Sequence, residues 1–114
     1  MYSFITDAQR ELLIANGLQS QSHADFDPFP VVKLFTPDPG ATWLLSALDA
    51  AGEVAFGLCD SGMGSPEIGD IALRSLAQVR GMMNFPIAQD LHFHADKPLS
   101  VYAREGRMAG RIQA

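Results

Sequence analysis

The sequence predicts an α+β fold: a single domain over residues 1–114, built on a mainly antiparallel sheet of about five strands with N-terminal and C-terminal helices. Three observations carry this expectation. Apolar residues recur at helical spacing near both chain ends, whereas the runs between them alternate with a period of two. Connections between successive strand-like runs are short, which favours antiparallel neighbours because parallel pairing needs a long crossover. Finally, 114 residues with 47% apolar and 18% charged composition suffice for a core without disulfides or metal.

The elements follow in order. "FITDAQRELLIANG" opens with a helix in which Thr6 caps and Gln9, three residues on, completes a capping box. Leu12 and Leu13 form its apolar stripe, and Gly17 is the expected stop. "LQSQSHADFDPFP" reads as a polar loop. "VVKLF" (31–35) and "TWLLSAL" (42–48) are strands joined by "TPDPGA", where Pro37 and Pro39 forbid a helix and suit a hairpin connection. "EVAFGLC" (53–59) follows the tight turn "DAAG", and "IGDIAL" is a fourth strand. Ser75 is the expected cap of a short helix, "SLAQVRG"; "QDLHFHA" is the fifth strand and "PLSVYAREGRMAGRI" the terminal helix.

Strand parity sorts the side chains into two sets. Val54, Phe56 and Leu58 point one way, against Ala55, Gly57 and Cys59. Leu91, Phe93 and Ala95 oppose Asp90, His92, His94 and Asp96, while Ile71 and Leu73 oppose Asp70, Ala72 and Arg74. The expected sheet therefore has one greasy face and one face of small residues, a thiol, imidazoles and charges.

Composition bounds the function. A single cysteine, Cys59, leaves no internal disulfide and gives secretion no support. The N-terminus lacks the basic and apolar regions of a signal peptide, and no apolar run reaches the length of a membrane span, so a cytoplasmic location without membrane partners is expected. Net charge is −5, unevenly spread. Residues 1–96 hold twelve acids against four bases, a balance of −8, whereas residues 97–114 hold four bases against Glu105, a balance of +3. An acidic body repels phosphate at long range and argues against a general nucleic-acid binder.

The stretches "VVKLFTPDPGATWLLSALD", "AFGLCDSGMGSPEIGDIAL" and "QDLHFHADKPLS" resemble the family catalogued as domain of unknown function 2958. The resemblance runs from the first helix to "GRI". It is carried by Leu34, Phe35 and Pro37; by Trp43 and Leu44; by Gly57 to Asp60; by Gly62, Gly64, Pro66, Glu67 and Gly69; and by Asp90 to Phe93. It implies a small protein carried on plasmids, conjugative elements and other mobile DNA of bacteria, and it implies no reaction.

Candidate sites were weighed against plainer roles. In "GLCDSGMGSPEIGD" the glycines miss phosphate-loop spacing, Pro66 removes a donor, and Asp60, Glu67 and Asp70 repel an anion. The acids also miss the order of a calcium loop. A shaped turn, with Glu67 as its presented side chain, is the expected role. His92 and His94 are the metal candidates: an i, i+2 pair on a strand points both imidazoles to one side, with Glu67, Asp90 or Asp96 as third ligand. A solvated strand edge places histidines the same way. Cys59 beside either histidine is a thiolate–imidazole candidate, against its role as a small hydrophobe. Trp43 is read as core. On the last helix Val101, Met108 and Ile112 form the expected docking seam, and Arg104, Arg107 and Arg111 a basic stripe.

The candidate binding face is thus Cys59, Asp60, Glu67, Asp90, His92, Arg104, Arg107 and Arg111. No catalytic constellation stands above its plainer counterpart, so the sequence leans away from an enzyme. It predicts an accessory protein of mobile elements that acts by binding an unknown protein partner, with no cofactor. The first alternative is a small divalent-metal enzyme using His92 and His94. The second is a nucleic-acid accessory protein contacting phosphate through the arginine stripe.

Overall fold

The computed structural model describes residues 2–37, 40–80 and 84–114. Its elements are α1 (Asp7–Ser22), β1 (Val32–Phe35), β2 (Thr42–Leu48), β3 (Val54–Asp60), β4 (Glu67–Ala72), α2 (Leu73–Gln78), β5 (Ala88–Gln89) and α3 (Leu99–Ala109). All five strands join one antiparallel sheet, in the order β4-β3-β2-β1-β5. The α+β architecture is the one that short connections dictate. Among the described residues, no helix is long and apolar enough to cross a membrane.

The capping box forms as the sequence predicts: the Gln9 amide donates to Thr6 Oγ1 at 3.1 Å, and the Thr6 amide donates to Gln9 Oε1 at 3.0 Å. Gly17, however, does not stop α1, which continues to Ser22. The reason is tertiary. A Cβ at Gly17 would sit 2.0 Å from the Leu48 carbonyl oxygen, so glycine lets the helix lie directly on β2. One residue earlier, Asn16 Nδ2 donates to the Ser46 carbonyl at 2.9 Å.

Turn chemistry shapes the sheet. In the 36–41 connection Thr36 Oγ1 accepts from the Ala41 amide at 3.1 Å; Pro39 lies outside the described residues. Between β2 and β3, Asp49 Oδ1 accepts from the Glu53 and Val54 amides at 2.8 and 3.1 Å, and Gly52 takes φ 74°. The β2–β3 register shifts between Leu45 and Ala47, leaving Ser46 in a bulge whose hydroxyl donates to the Phe56 carbonyl at 3.3 Å. Opposite this bulge Gly57 approaches β2 so closely that a Cβ would lie 2.1 Å from the Leu44 carbonyl oxygen.

Three expected elements differ. α2 starts at Leu73, directly out of β4 and without a side-chain cap, so Ser75 lies inside it rather than capping it. It ends at Gln78, and Gly81 of the expected helix lies outside the described residues. The fifth strand is two residues long and pairs only Gln89 with Leu34 and Ala88 with Phe35. Residues 90–96 are therefore not strand, and His92 and His94 sit on a loop. Asp90 ends the ladder by turning its own Oδ1 onto the His92 amide at 2.9 Å. α3 ends at Ala109, where Gly110 takes φ 78° and the Arg111 amide donates to the Gly106 carbonyl at 3.0 Å.

The expectation of one greasy and one polar sheet face is also corrected. Both faces carry a core. On the first, Val32, Leu34, Trp43, Leu45 and Ala55 pack against Phe4, Ile5, Leu13, Leu73 and Leu76, with Trp43 buried as expected. On the second, Leu44 and Leu58 pack against Leu99, Tyr102 and Ala103 of α3. Consecutive residues Leu58 and Cys59 join opposite clusters, as pleating requires. The seam of α3 is Leu99, Tyr102, Ala103 and Gly106; of the expected seam, Met108 is 83% exposed, while Ile112 packs beyond the helix end.

Gly17→Ala should test the α1–β2 contact. Alanine gains helix propensity of roughly 1 kcal/mol, but its methyl must displace a main-chain carbonyl. We expect a net loss of about 1–3 kcal/mol in urea unfolding.

Candidate functional site

The stretch from Gly57 to Asp70 is a seat for the C-terminal segment. Asp60 closes β3 and is only 5% exposed. Its Oδ1 accepts from the Gly62 amide at 2.8 Å, and its Oδ2 accepts from the Ile112 amide at 3.0 Å. One carboxylate therefore shapes the loop and holds the tail. Gly62 and Gly64 supply φ values of 85° and 88°. Buried Pro66 lies against Gly106, where an added Cβ would sit 3.4 Å from the ring. Farther along, Lys33 Nζ donates to the Ala114 oxygen at 2.8 Å.

The other sequence-singled residues separate into three groups. Cys59 and Glu67 are register partners across β3 and β4, Glu67 exposed and Cys59 half-buried against the first core. Burial pushes the Cys59 thiol up, and the Asp60 and Glu67 carboxylates add to this. The thiol is thus poorly suited to act as a thiolate, and it faces the core opposite the one that Phe93 joins beside His92 and His94.

Asp90, His92 and His94 line an open hollow of about 300 Å³ together with Asp96, Lys97 and Tyr102. The His92 amide, with help from the Lys33 ammonium 3.5 Å away, holds the Asp90 carboxyl below the usual carboxylate range. Asp96 Oδ1 accepts from the Tyr102 hydroxyl at 3.1 Å, and Lys97 pairs with Glu105 at 2.9 Å. The acids beside the imidazoles thus already have partners. Among the described residues, no group of three or more His, Cys, Asp or Glu side chains is placed to hold a metal ion.

The arginines form the third group. Arg104 and Arg107 are exposed on α3, but Arg111 follows the left-handed turn at Gly110 and leaves the helical stripe. None of the three enters an ion pair among the described residues.

A different surface emerges on the second sheet face. α3 covers Leu58 and Leu44, but farther along β3 Val54 and Phe56 stay exposed, Phe56 at 43%. They line an open cleft of about 520 Å³ with Phe26, Ala47 and the last turns of α1. Phe26 also lines a second cleft of about 640 Å³, with Leu12, Phe29 and Phe93. The two clefts share Phe26, and half-exposed aromatic side chains grouped in this way mark interaction surfaces. Sequence reasoning missed it. The available signal was "DFDPFP", where two phenylalanines sit among acids and prolines in a segment with no strand or helix to bury them.

Two outcomes check these assignments. Asp60→Ala orphans the Gly62 and Ile112 amides and should cost about 2–4 kcal/mol of unfolding free energy, with faster amide exchange at Ile112 than at core β2 amides. Alkylation of Cys59 by iodoacetamide at neutral pH should run at least about tenfold slower than that of free cysteine, and its rate should rise only above the pH at which an ordinary thiol ionises.

No curated protein and no solved structure matches the chain. A family model described as "Protein of unknown function (DUF2958)" matches residues 4–113, and the chain belongs to that family.

Proposed function

We propose that the protein acts by binding another protein, as an accessory factor of a mobile genetic element in the cytoplasm. The carrying observation is the cleft over β3, where Val54 and Phe56 are exposed beside half-buried Phe26. Large apolar side chains that meet water side by side lose burial free energy of roughly 25 cal/mol per Å² until something covers them. The setting on mobile DNA is what the family resemblance implies. Among the described residues, no group of three or more His, Cys, Asp or Glu side chains gathers around Cys59 or in the His92–His94 hollow, which favours the binding reading.

The three exposed arginines support a second reading, contact with a phosphate backbone. Its signature is binding that weakens steeply with salt and with Arg104→Ala and Arg107→Ala. Salt-insensitive or absent binding to duplex DNA removes it.

The leading reading is tested by a photo-crosslinking residue at position 56 in cells carrying the natural element. We expect one recurrent protein adduct from position 56 and none from the same residue at Gln78, exposed on α2. Adducts that do not differ between the two positions would count against the groove.

A further inference from the structure

We propose that the occupant of this groove is a basic amphipathic helix of a partner protein. The inference rests on the protein-binding reading above and adds the chemistry of the partner. Charge is the first argument. Asp49 and Asp70 line the cleft beside Phe56, and Asp27 lines the neighbouring cleft that shares Phe26. All three carboxylates are exposed and none enters an ion pair among the described residues; Asp49 accepts from the Glu53 and Val54 amides and Asp27 from the Ser100 amide and hydroxyl, neutral donors that leave the negative charge in place. Among the described residues, no lysine or arginine lines either cleft, and the histidines there are His23 and His94. The Asp49 carboxyl is held below its ordinary range, first by the Val54 amide and then by the Glu53 amide, so it keeps its charge under working conditions. A partner that brought acids here would face uncompensated like charge, whereas lysines or arginines would find the Asp70 carboxylate, with the hydrogen-bonded but un-neutralised Asp49 and Asp27 beside it, around an apolar floor.

Shape is the second argument. The same sheet face is already covered by a helix where Leu44 and Leu58 meet α3. The bare half, with Val54 and Phe56, continues that surface, so a second helix would complete the layer on it as α3 does beside it. The apolar stripe of such a helix meets Phe56 and Phe26, and its basic flanks reach Asp49, Asp70 and Asp27.

The test uses the full chain and three designed 18-residue helical peptides that share one leucine face. Their polar faces are lysine, glutamine or glutamate. Fluorescence anisotropy at physiological salt should rank them lysine, glutamine, glutamate, with about a tenfold step between the lysine and glutamine peptides. Asp70→Lys, on an exposed strand position, should invert the ranking toward the glutamate peptide, and Phe56→Gln should weaken all three. Circular dichroism and thermal melting establish that both variants are folded. Equal affinity for the three peptides, lost in Phe56→Gln, would overturn the charge inference while leaving an apolar protein-binding groove intact. Absence of binding by all three peptides would overturn the helix as occupant; the crosslink from position 56 decides the protein-binding reading separately. Concentration-dependent self-association abolished by Phe56→Gln would make a second copy of the chain the occupant and overturn the proposal.

Discussion

One buried carboxylate organises the second face of the sheet. Asp60 accepts from Gly62 on its own loop and from Ile112 some fifty residues later, so the loop and the tail take shape together. A charged oxygen pair at 5% exposure is tolerable only when main-chain donors replace the water it has lost. The tail can therefore settle where those donors reach the loop, and the loop glycines adopt positive φ to bring Gly62 round to Oδ1. α3 is held to the sheet at both ends of this arrangement. Its inner residues Leu99, Tyr102 and Ala103 supply the apolar contact, and Asp60 fixes the chain after the helix has ended.

That constraint also determines what stays open. α3 has 11 residues, about 16 Å of helix, whereas β3 has seven residues, about 23 Å of strand. The helix is tied at its start to the Asp27–Pro28 segment, where the Leu99 amide donates to the Pro28 carbonyl, and after its end to Asp60; between these ties it covers Leu58 and leaves Phe56 and Val54 exposed. Phe26, in the segment between α1 and β1, lines both the cleft beside them and its neighbour.

Much of this was legible locally. The Thr6–Gln9 capping box, the prolines of the 36–41 connection and the period-two runs each state their structure within a few residues, and four strands fall within one residue of their expected bounds. What misled the reading depended on partners far away in sequence. Gly17 looks like a helix stop because glycine is one in isolation, yet Leu48 makes it a contact point. Residues 90–96 alternate like a strand, and Phe93 and Ala95 do turn inward, but after the Asp90 amide donates to the Lys33 carbonyl the Asp90 carboxylate accepts from the His92 amide and turns the chain away from β1. Ala55, Gly57 and Cys59 looked like a wet face because they are small; Ala55 and Cys59 instead pack in the first core, and Gly57 is small because the β2 backbone approaches it closely. Ala103 and Gly106 hid the true phase of α3 for the same reason.

The candidate site was harder to read still, because chemistry-bearing residue types drew attention away from it. Thiol, imidazole and carboxylate were singled out, and the structure finds most of them partnered: Asp60 with two amides, Asp90 with Lys33 and the His92 amide, Asp96 with Tyr102. A side chain already satisfied within the fold has little left to offer a ligand. Among the described residues, the Asp70 carboxylate has no such partner and Phe56 and Phe26 need none; these are ordinary residues whose significance is positional. On the proposed reading these divide the work of association. The acidic body and groove carboxylates attract a basic partner over about a Debye length, roughly 8 Å at physiological salt, and so raise the encounter rate. The phenylalanines act only on contact and lengthen residence. A surface built this way rejects acidic competitors before they arrive and releases poorly fitting basic ones after they do, which is selectivity without any catalytic group.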